Sequence, residues 1–482
     1  MIMDFSSYSL IDLVEGIREK RFPAESVRSY FIEKSHAENP HLNAFLTISE
    51  PGETLDTNLP LAGVPIGIKD VFCEKGKRTS AGSKMLEHFT PPYEATVIER
   101  LRNAGMYSIG KTNMDEFAMG GSGENSAYGP AKNPHDITRI PWGSSSGSAV
   151  AVAAGLVPAA LGTDTGGSIR QPASMCGIVG FKPSYGRNSR YWVIAMASSL
   201  DCPGTFTKTV RDAGLLYEIM GGHDPLDATS LTEDHRIDPK IWERKDLTGI
   251  RIWVPHEYFI EGIDAWVRDT IHASIETLRS LGAEIVDISL PHTEYGLAVY
   301  YIICPAEVST NMARYDGVRF WYAKNDPYDR DLTRTEWFGD EVKRRIMIGS
   351  FVLSSGFYDA YYKKAASVRE LIRRDFDTAF AGVDAIVTPT APSVAWKIGE
   401  KVDDAMKMYL SDIFTIPASL AGLPGLVVPV WTASPSDDPS MALPVWLQIL
   451  APRLREETCL MIGHVLEQSM KAKSSDWQHR SL

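Results

Sequence analysis

Cysteine is sparse in this chain: Cys73, Cys176, Cys202, Cys304 and Cys459, an odd number with no CxxC pair. That excludes a disulfide framework or a cysteine zinc site and fits buried thiols in a reducing cytoplasm. Basic residues are outnumbered, 49 Lys and Arg against 61 Asp and Glu, for a net charge of −12. Phosphate contacts need clustered Lys and Arg, so this is not expected to be a primary nucleic-acid binder. Long apolar runs are missing as well. No run of about 18 residues is free of both charged and polar side chains, so no membrane span is expected. The opening segment MIMDFSSYSLIDLVEGIREK has acids where a signal peptide needs basic residues, so no secretory leader is expected either. There are no internal repeats and no Pro/Gly/Ser linker. One large domain spanning 1–482 is the expectation.

What is present is an ordinary globular composition, 44% hydrophobic and 23% charged, in 482 residues. YSLIDLVEGIREKRF and PAESVRSYFIEKSHA carry apolar residues at helical spacing, with Pro23 suited to the first turn of the second segment. GVPIGIKDVF is a short β-like run, and ATVIERLRNAG followed by MYSIGKTN reads as helix, turn, strand. The same alternation recurs at AWVRDTIHASIETLRSLGAEIVDISLP. The pattern predicts an α/β fold with a sheet covered by helices on both faces. From about 300 to 380 strand signals thin out, and a helical cap is expected within the domain.

Two Gly/Ser-rich stretches follow in turn, GSSSGS (Gly143–Ser148) and GTDTGGS (Gly162–Ser168), with 24 residues from Ser144 to Ser168. Either could be a plain turn, since Gly and Ser are common turn residues. Neither fits GxxxxGK[ST] or GxGxxG, which argues against phosphate binding. GxSxG is absent around both, and no histidine flanks them, so a Ser-His-Asp hydrolase does not fit. A nucleophilic serine without histidine does. In TDTGGSIRQP, Ser168 follows two glycines and precedes a probable helix, a setting in which converging backbone N–H groups can hold an oxyanion. The base would be Lys69, at the end of GVPIGIK. A free lysine has a pKa near 10.4, so burial and hydroxyl partners must lower it. Alone, such a lysine reads as a solvated strand end.

Lys69, GSSSGS and GTDTGGSIRQP, in this order and with 75 residues from Lys69 to Ser144, resemble the amidase signature family. That resemblance implies a Ser–cis-Ser–Lys triad: Ser168 as acyl-enzyme nucleophile, Ser144 as bridging serine in a cis peptide with Gly143, and Lys69 as base. It also implies an oxyanion hole from the N–H groups of Thr165, Gly166, Gly167 and Ser168. GKTNMDEFAMGGSGENSAYG, GFKPSYGRNSRY, EVKRRIMIG, YYKKA and YLSDIFTIPASLAGLPG resemble, within that family, the A subunits of glutamyl-tRNA(Gln)/aspartyl-tRNA(Asn) amidotransferases. There the implied role is glutaminase. Ammonia would pass to a B subunit that binds misacylated tRNA and uses ATP and Mg2+, with a small C subunit between the two. No cofactor or metal is implied for this chain. The alternatives are a free-standing amidase of broader range and a non-catalytic scaffold subunit.

Glutamine is a zwitterion, so its site needs a cation and an anion. The resemblance puts these at Arg345 in EVKRRIMIG and Asp412 in YLSDIF, with Tyr300 lining the same pocket. Arginine suits a carboxylate because its planar fork binds both oxygens. The family pattern also has glycine where this chain has Trp142, Trp192, Trp253, Trp321, Trp337, Trp431 and Trp446, seven of its 11 tryptophans. A substitution confined to Gly→Trp is what UGA codons read as tryptophan would produce, where the native code reads glycine.

Overall fold

In a computed structural model, which describes residues 3–50, 56–259, 262–317, 330–401, 405–435, 437–438 and 440–473, eleven strands join in one mixed sheet. They are β1 (Phe45–Ile48), β2 (Pro65–Lys69), β3 (Tyr107–Thr112), β4 (Ala159–Asp164), β5 (Val179–Lys182), β6 (Cys202–Thr207), β7 (Arg251–Trp253), β8 (Glu284–Val286), β9 (Ala385–Pro389), β10 (Gly425–Ala433) and β11 (Leu443–Leu450). Across the sheet the order is β1-β3-β2-β4-β6-β5-β10-β11-β9-β7-β8. β2 runs parallel to β3 and β4, and β7 parallel to β8 and β9. The stretch from β4 through β6, β5, β10 and β11 to β9 pairs antiparallel. Every residue of β2, β3 and β4 is buried. Strands covered on both faces read as continuous rather than alternating runs, and PIGIK and AALGTD are of that kind. The chain is thus an α/β protein whose mixed sheet is flanked by helices.

Local chemistry sets the helix starts. Ser9 Oγ accepts from Asp12 N–H at 3.1 Å while Asp12 Oδ2 accepts from Ser9 N–H at 3.0 Å, a reciprocal cap on the helix Leu10–Arg18. Pro23 stands one residue earlier than a first-turn position, as the N-cap of the helix Ala24–Leu42. The helix Ser146–Ala153 is built from Ser, Gly, Ala and Val alone, which lets it lie close against the strands below it. Ser148 Oγ bonds Leu161 O at 2.7 Å and Thr112 Oγ1 at 2.6 Å, tying that helix to β4 and β3. Between 296 and 380 the described residues contain no strand. They form the helices Gly296–Met312, Arg330–Trp337, Asp340–Val352 and Lys364–Phe380, with a π-helical turn at Tyr358–Lys363. No helix among the described residues is long and apolar enough to cross a membrane.

The tryptophans divide by backbone conformation. Trp142 and Trp192 have φ of 67° and 58°, the left-handed region where a large side chain is strained. Trp142 is fully buried, edge-on to Trp396 at 4.5 Å, and its indole N–H has no hydrogen-bond partner among the described residues. Trp192 stacks on Tyr93 at 3.6 Å and is 37% exposed. Trp253 and Trp446 lie buried in the strands β7 and β11, each with an unpartnered indole N–H among the described residues. Trp431 lies in β10, 40% exposed, and Trp337 ends the helix Arg330–Trp337. Trp321 lies outside the described residues. The backbone therefore asks for glycine at Trp142 and Trp192 and at none of the other described positions.

Candidate active site

Lys69 is the last residue of β2 and is fully buried. Its Nζ lies 2.8 Å from Ser144 Oγ, 2.9 Å from Ser145 Oγ and 2.9 Å from Thr163 Oγ1. Among the described residues no carboxylate comes within ion-pair distance of it. Burial lowers its pKa to about 7, although Asp115, Asp201 and Asp164 act in the opposite direction. A buried amine ringed by neutral hydroxyls can exist uncharged at neutral pH and can then accept a hydroxyl proton. The Gly143–Ser144 peptide is cis. Ser145 Oγ also donates to Thr163 O at 3.2 Å, which ties the serine loop to β4.

The turn after β4 carries Thr165, Gly166, Gly167 and Ser168. None of their four N–H groups donates to another protein group among the described residues, so all four are available to a ligand oxygen. The turn is held from outside instead. Asp164 receives Arg170 Nε at 2.9 Å and Nη2 at 2.8 Å, and its Oδ2 also accepts the N–H groups of Ile169 and Arg170. The start of the helix Arg170–Cys176 is thus occupied by Asp164, and the oxyanion position rests on the glycine turn alone. Arg170 further donates to Gln448 Oε1 at 2.7 Å and Ser419 Oγ at 2.8 Å. Thr165 Oγ1 donates to Asp201 at 2.8 Å, and Thr415 Oγ1 donates to Gly166 O at 2.6 Å. A Cβ on Gly166 would lie 2.9 Å from the Tyr300 ring, so glycine is what lets Tyr300 pack on this turn. Ser168 is 8% exposed. Lys69 and Ser144 are in direct contact, but among the described residues no hydrogen bond joins Ser144 to Ser168.

Arg345, on the helix Asp340–Val352, is buried, and among the described residues it forms no ion pair with Asp412. Its Nε donates to Glu341 Oε1 at 2.8 Å, and its guanidinium faces the Tyr301 and Tyr409 rings at 5.6 and 6.0 Å. Burial works against its charge, but Glu341, Cys304, Tyr301 and Tyr300 together outweigh it and hold the pKa well above the ordinary value. Asp412 accepts from Gln171 Nε2 at 2.9 Å and from Tyr301 OH at 2.8 Å. Burial pushes its pKa up to about 6. Tyr301 therefore connects the two charges, through its ring to Arg345 and its hydroxyl to Asp412. Beside them lies a cavity of about 690 Å³, lined among others by Gly121, Asn125, Glu341, Arg344, Met408 and Tyr409. Gly121 separates it from Asp412, 3.7 Å from the position a Cβ would take.

Several participants escaped sequence reasoning: Thr163, Ser145, Asp164, Arg170, Glu341 and Tyr301. The pair Asp164 and Arg170, flanking TGGSI with opposite charges in an otherwise small-residue stretch, is the one signal that could have been read.

Residues 27–460 match the Amidase family model. The A subunit of glutamyl-tRNA(Gln) amidotransferase from Koribacter versatilis is 48% identical over 475 residues, covering 95% of this chain and 97% of the relative. The protein of the same description from Carboxydothermus hydrogenoformans is also 48% identical, covering 97% and 98%. The crystal structure of the A subunit of glutamyl-tRNA(Gln) amidotransferase from Thermotoga maritima superposes with a TM-score of 0.83 at 38% identity, covering 97% of this chain and 95% of that one.

Proposed function

We propose a function from the premise that this chain belongs to the amidase family and, within it, groups with the A subunits of glutamyl-tRNA(Gln) amidotransferases: it is the glutaminase of such an enzyme. One observation carries the reading. Among the described residues a fully buried lysine holds three hydroxyls and no carboxylate, beside a turn offering four N–H groups without a protein acceptor. That is equipment for activating a serine and holding an oxyanion, not for a salt bridge.

In this mechanism neutral Lys69 takes the Ser144 proton as Ser144 takes that of Ser168. Ser168 Oγ attacks the side-chain carboxamide carbon of glutamine, and the oxyanion settles against the N–H groups of Thr165, Gly166, Gly167 and Ser168. The proton returns through Ser144 to the leaving nitrogen, and ammonia departs from the glutamyl ester of Ser168. Water, deprotonated along the same route, cleaves the ester and releases glutamate. Arg345 takes the α-carboxylate by sharing its guanidinium with Glu341, Asp412 takes the α-ammonium, and Tyr300 walls the acyl pocket.

The ammonia serves a B subunit that binds the misacylated tRNA and uses ATP and Mg2+ to amidate it, with a C subunit completing the assembly. The acidic charge of this chain agrees with leaving tRNA to that partner. Such work belongs in the cytoplasm. The deciding experiment assembles the three subunits and supplies Glu-tRNA(Gln) with ATP and either glutamine or ammonium. Ser168→Ala abolishes glutamine-dependent amidation and spares the ammonium-dependent reaction. Loss of both would place the defect in assembly rather than in the nucleophile.

A further inference from the structure

Three carboxylates surround Lys69, and each has a cation acting on it. Asp164 is paired with Arg170 at 2.8 Å. Asp201 accepts from Thr165 Oγ1 and the N–H groups of Met196 and Ala197, and the nearby cation acting on it is Arg190. For Asp115 that cation is Lys69 itself. Asp115 is fully buried just beyond β3, in no ion pair among the described residues. Its Oδ2 accepts from Gly123 N–H at 3.1 Å, and its Oδ1 accepts from Asn125 N–H at 2.9 Å and Asn125 Nδ2 at 3.3 Å. The Asp115 N–H donates to Ser144 O at 3.2 Å. A Cβ on Gly143 would sit 1.9 Å from Asp115 Oδ2, so the carboxylate abuts the Gly143–Ser144 segment itself.

We propose that Asp115 is a positioning residue that holds the Gly143–Ser144 segment against Lys69 and sets that lysine's proton affinity with a fixed buried charge. The proposal rests on the reading of Lys69 as base. The two groups act on each other: Asp115 opposes the lowering of the lysine by burial, and the lysine opposes the raising of Asp115, which burial takes to about 6. With Asp115 neutral, the charged form of Lys69 loses support and the base persists to lower pH.

The test is the pH profile of kcat/KM for glutamine in the assembled enzyme carrying Asp115→Asn or Asp115→Ser. Whatever the height of the profile, its acidic limb moves down by about one pH unit in the folded variants, the shift an adjacent opposite charge produces. A limb that stays at its original pH overturns the proposal. So does failure of both variants to fold, because Asp115 would then be a keystone of the fold rather than a setter of the base. Lys69→Met keeps the two readings distinguishable: glutaminase activity surviving there would remove the base assignment itself.

Discussion

Two buried basic side chains, Lys69 and Arg345, serve the candidate site and are solvated in opposite ways. Lys69 ends a central strand and, among the described residues, meets only hydroxyls at hydrogen-bond distance. Arg345 sits on a helix of the 296–380 region, ion-paired to Glu341 four residues earlier and set over two aromatic rings. Burial disfavours charge in both places. Where a carboxylate is in contact, the charge is kept; where neutral oxygens are, the proton becomes easy to lose. A base and a binding cation therefore need different neighbours more than different side chains.

The sharpest way to break this contrast is to remove what Lys69 serves. Ser168→Ala is expected to lower glutaminase turnover by about 10⁴-fold or more. Lys69→Arg follows: it keeps a cation in place but cannot surrender a proton, and a loss of about 10³-fold is expected. Near-normal turnover in Lys69→Arg would show that the charge, not the proton, matters there. At the other cation the order reverses. Arg345→Lys keeps the charge and leaves turnover close to normal, but loses the fork, so KM for glutamine rises about 10- to 100-fold. Hydrolysis of an uncharged amide is expected to change far less. Equal losses on both substrates would make Arg345 and Glu341 a structural ion pair.

The pH dependence sharpens the contrast from another direction. The Lys69 pKa is lowered to about 7, so its active, neutral form dominates above that pH and is lost as pH falls through it. The limiting slope is about tenfold in kcat/KM per pH unit on the acidic side. Asp412, held up to about 6 by burial, must be ionised to bind an ammonium, so KM for glutamine rises as pH falls below about 6. Arg345 contributes no limb in that range. A profile flat from pH 8 down to pH 5 would contradict the assignments of both Lys69 and Asp412.

The α/β class could be read from helix–strand alternation because each element's apolar period is local. The buried strand β2 was visible as a short apolar run ending at a chemistry-bearing residue, Lys69. Proximity was a different matter. That Lys69 and Ser144 meet across 75 residues came from family resemblance, since no periodicity encodes it. Arg170 reaching Gln448 and Tyr301 reaching Asp412 join elements far apart in the sequence, and nothing local announces them. Glu341 was masked by ordinariness: a carboxylate four residues before an arginine on a helix reads as a surface pair, and only burial gives it weight here.

The smallest expected effect concerns the tryptophans, where two backbone settings make opposite demands. Replacing Trp142 by either Ala or Gly empties the same buried space, a cost of about 3–5 kcal/mol that both variants share. Their difference isolates the backbone. At φ 67° alanine is strained and glycine is not, so Trp142→Gly should be more stable than Trp142→Ala by about 1 kcal/mol. At Trp253 and Trp446, in β7 and β11, the order should invert, with alanine ahead by about 0.5–1 kcal/mol. Denaturant midpoints of the six variants measure both differences. Glycine ahead at Trp142 alone would mark that turn as a glycine site whatever the codons say. Alanine ahead at all three would mean the left-handed turn relaxes at no cost and Trp142 belongs where it stands. The codons supply the parallel check. UGA is expected at Trp142 and Trp192 and at the five other positions that share their family pattern, and UGG there would make the strained tryptophan a genuine feature of the catalytic loop.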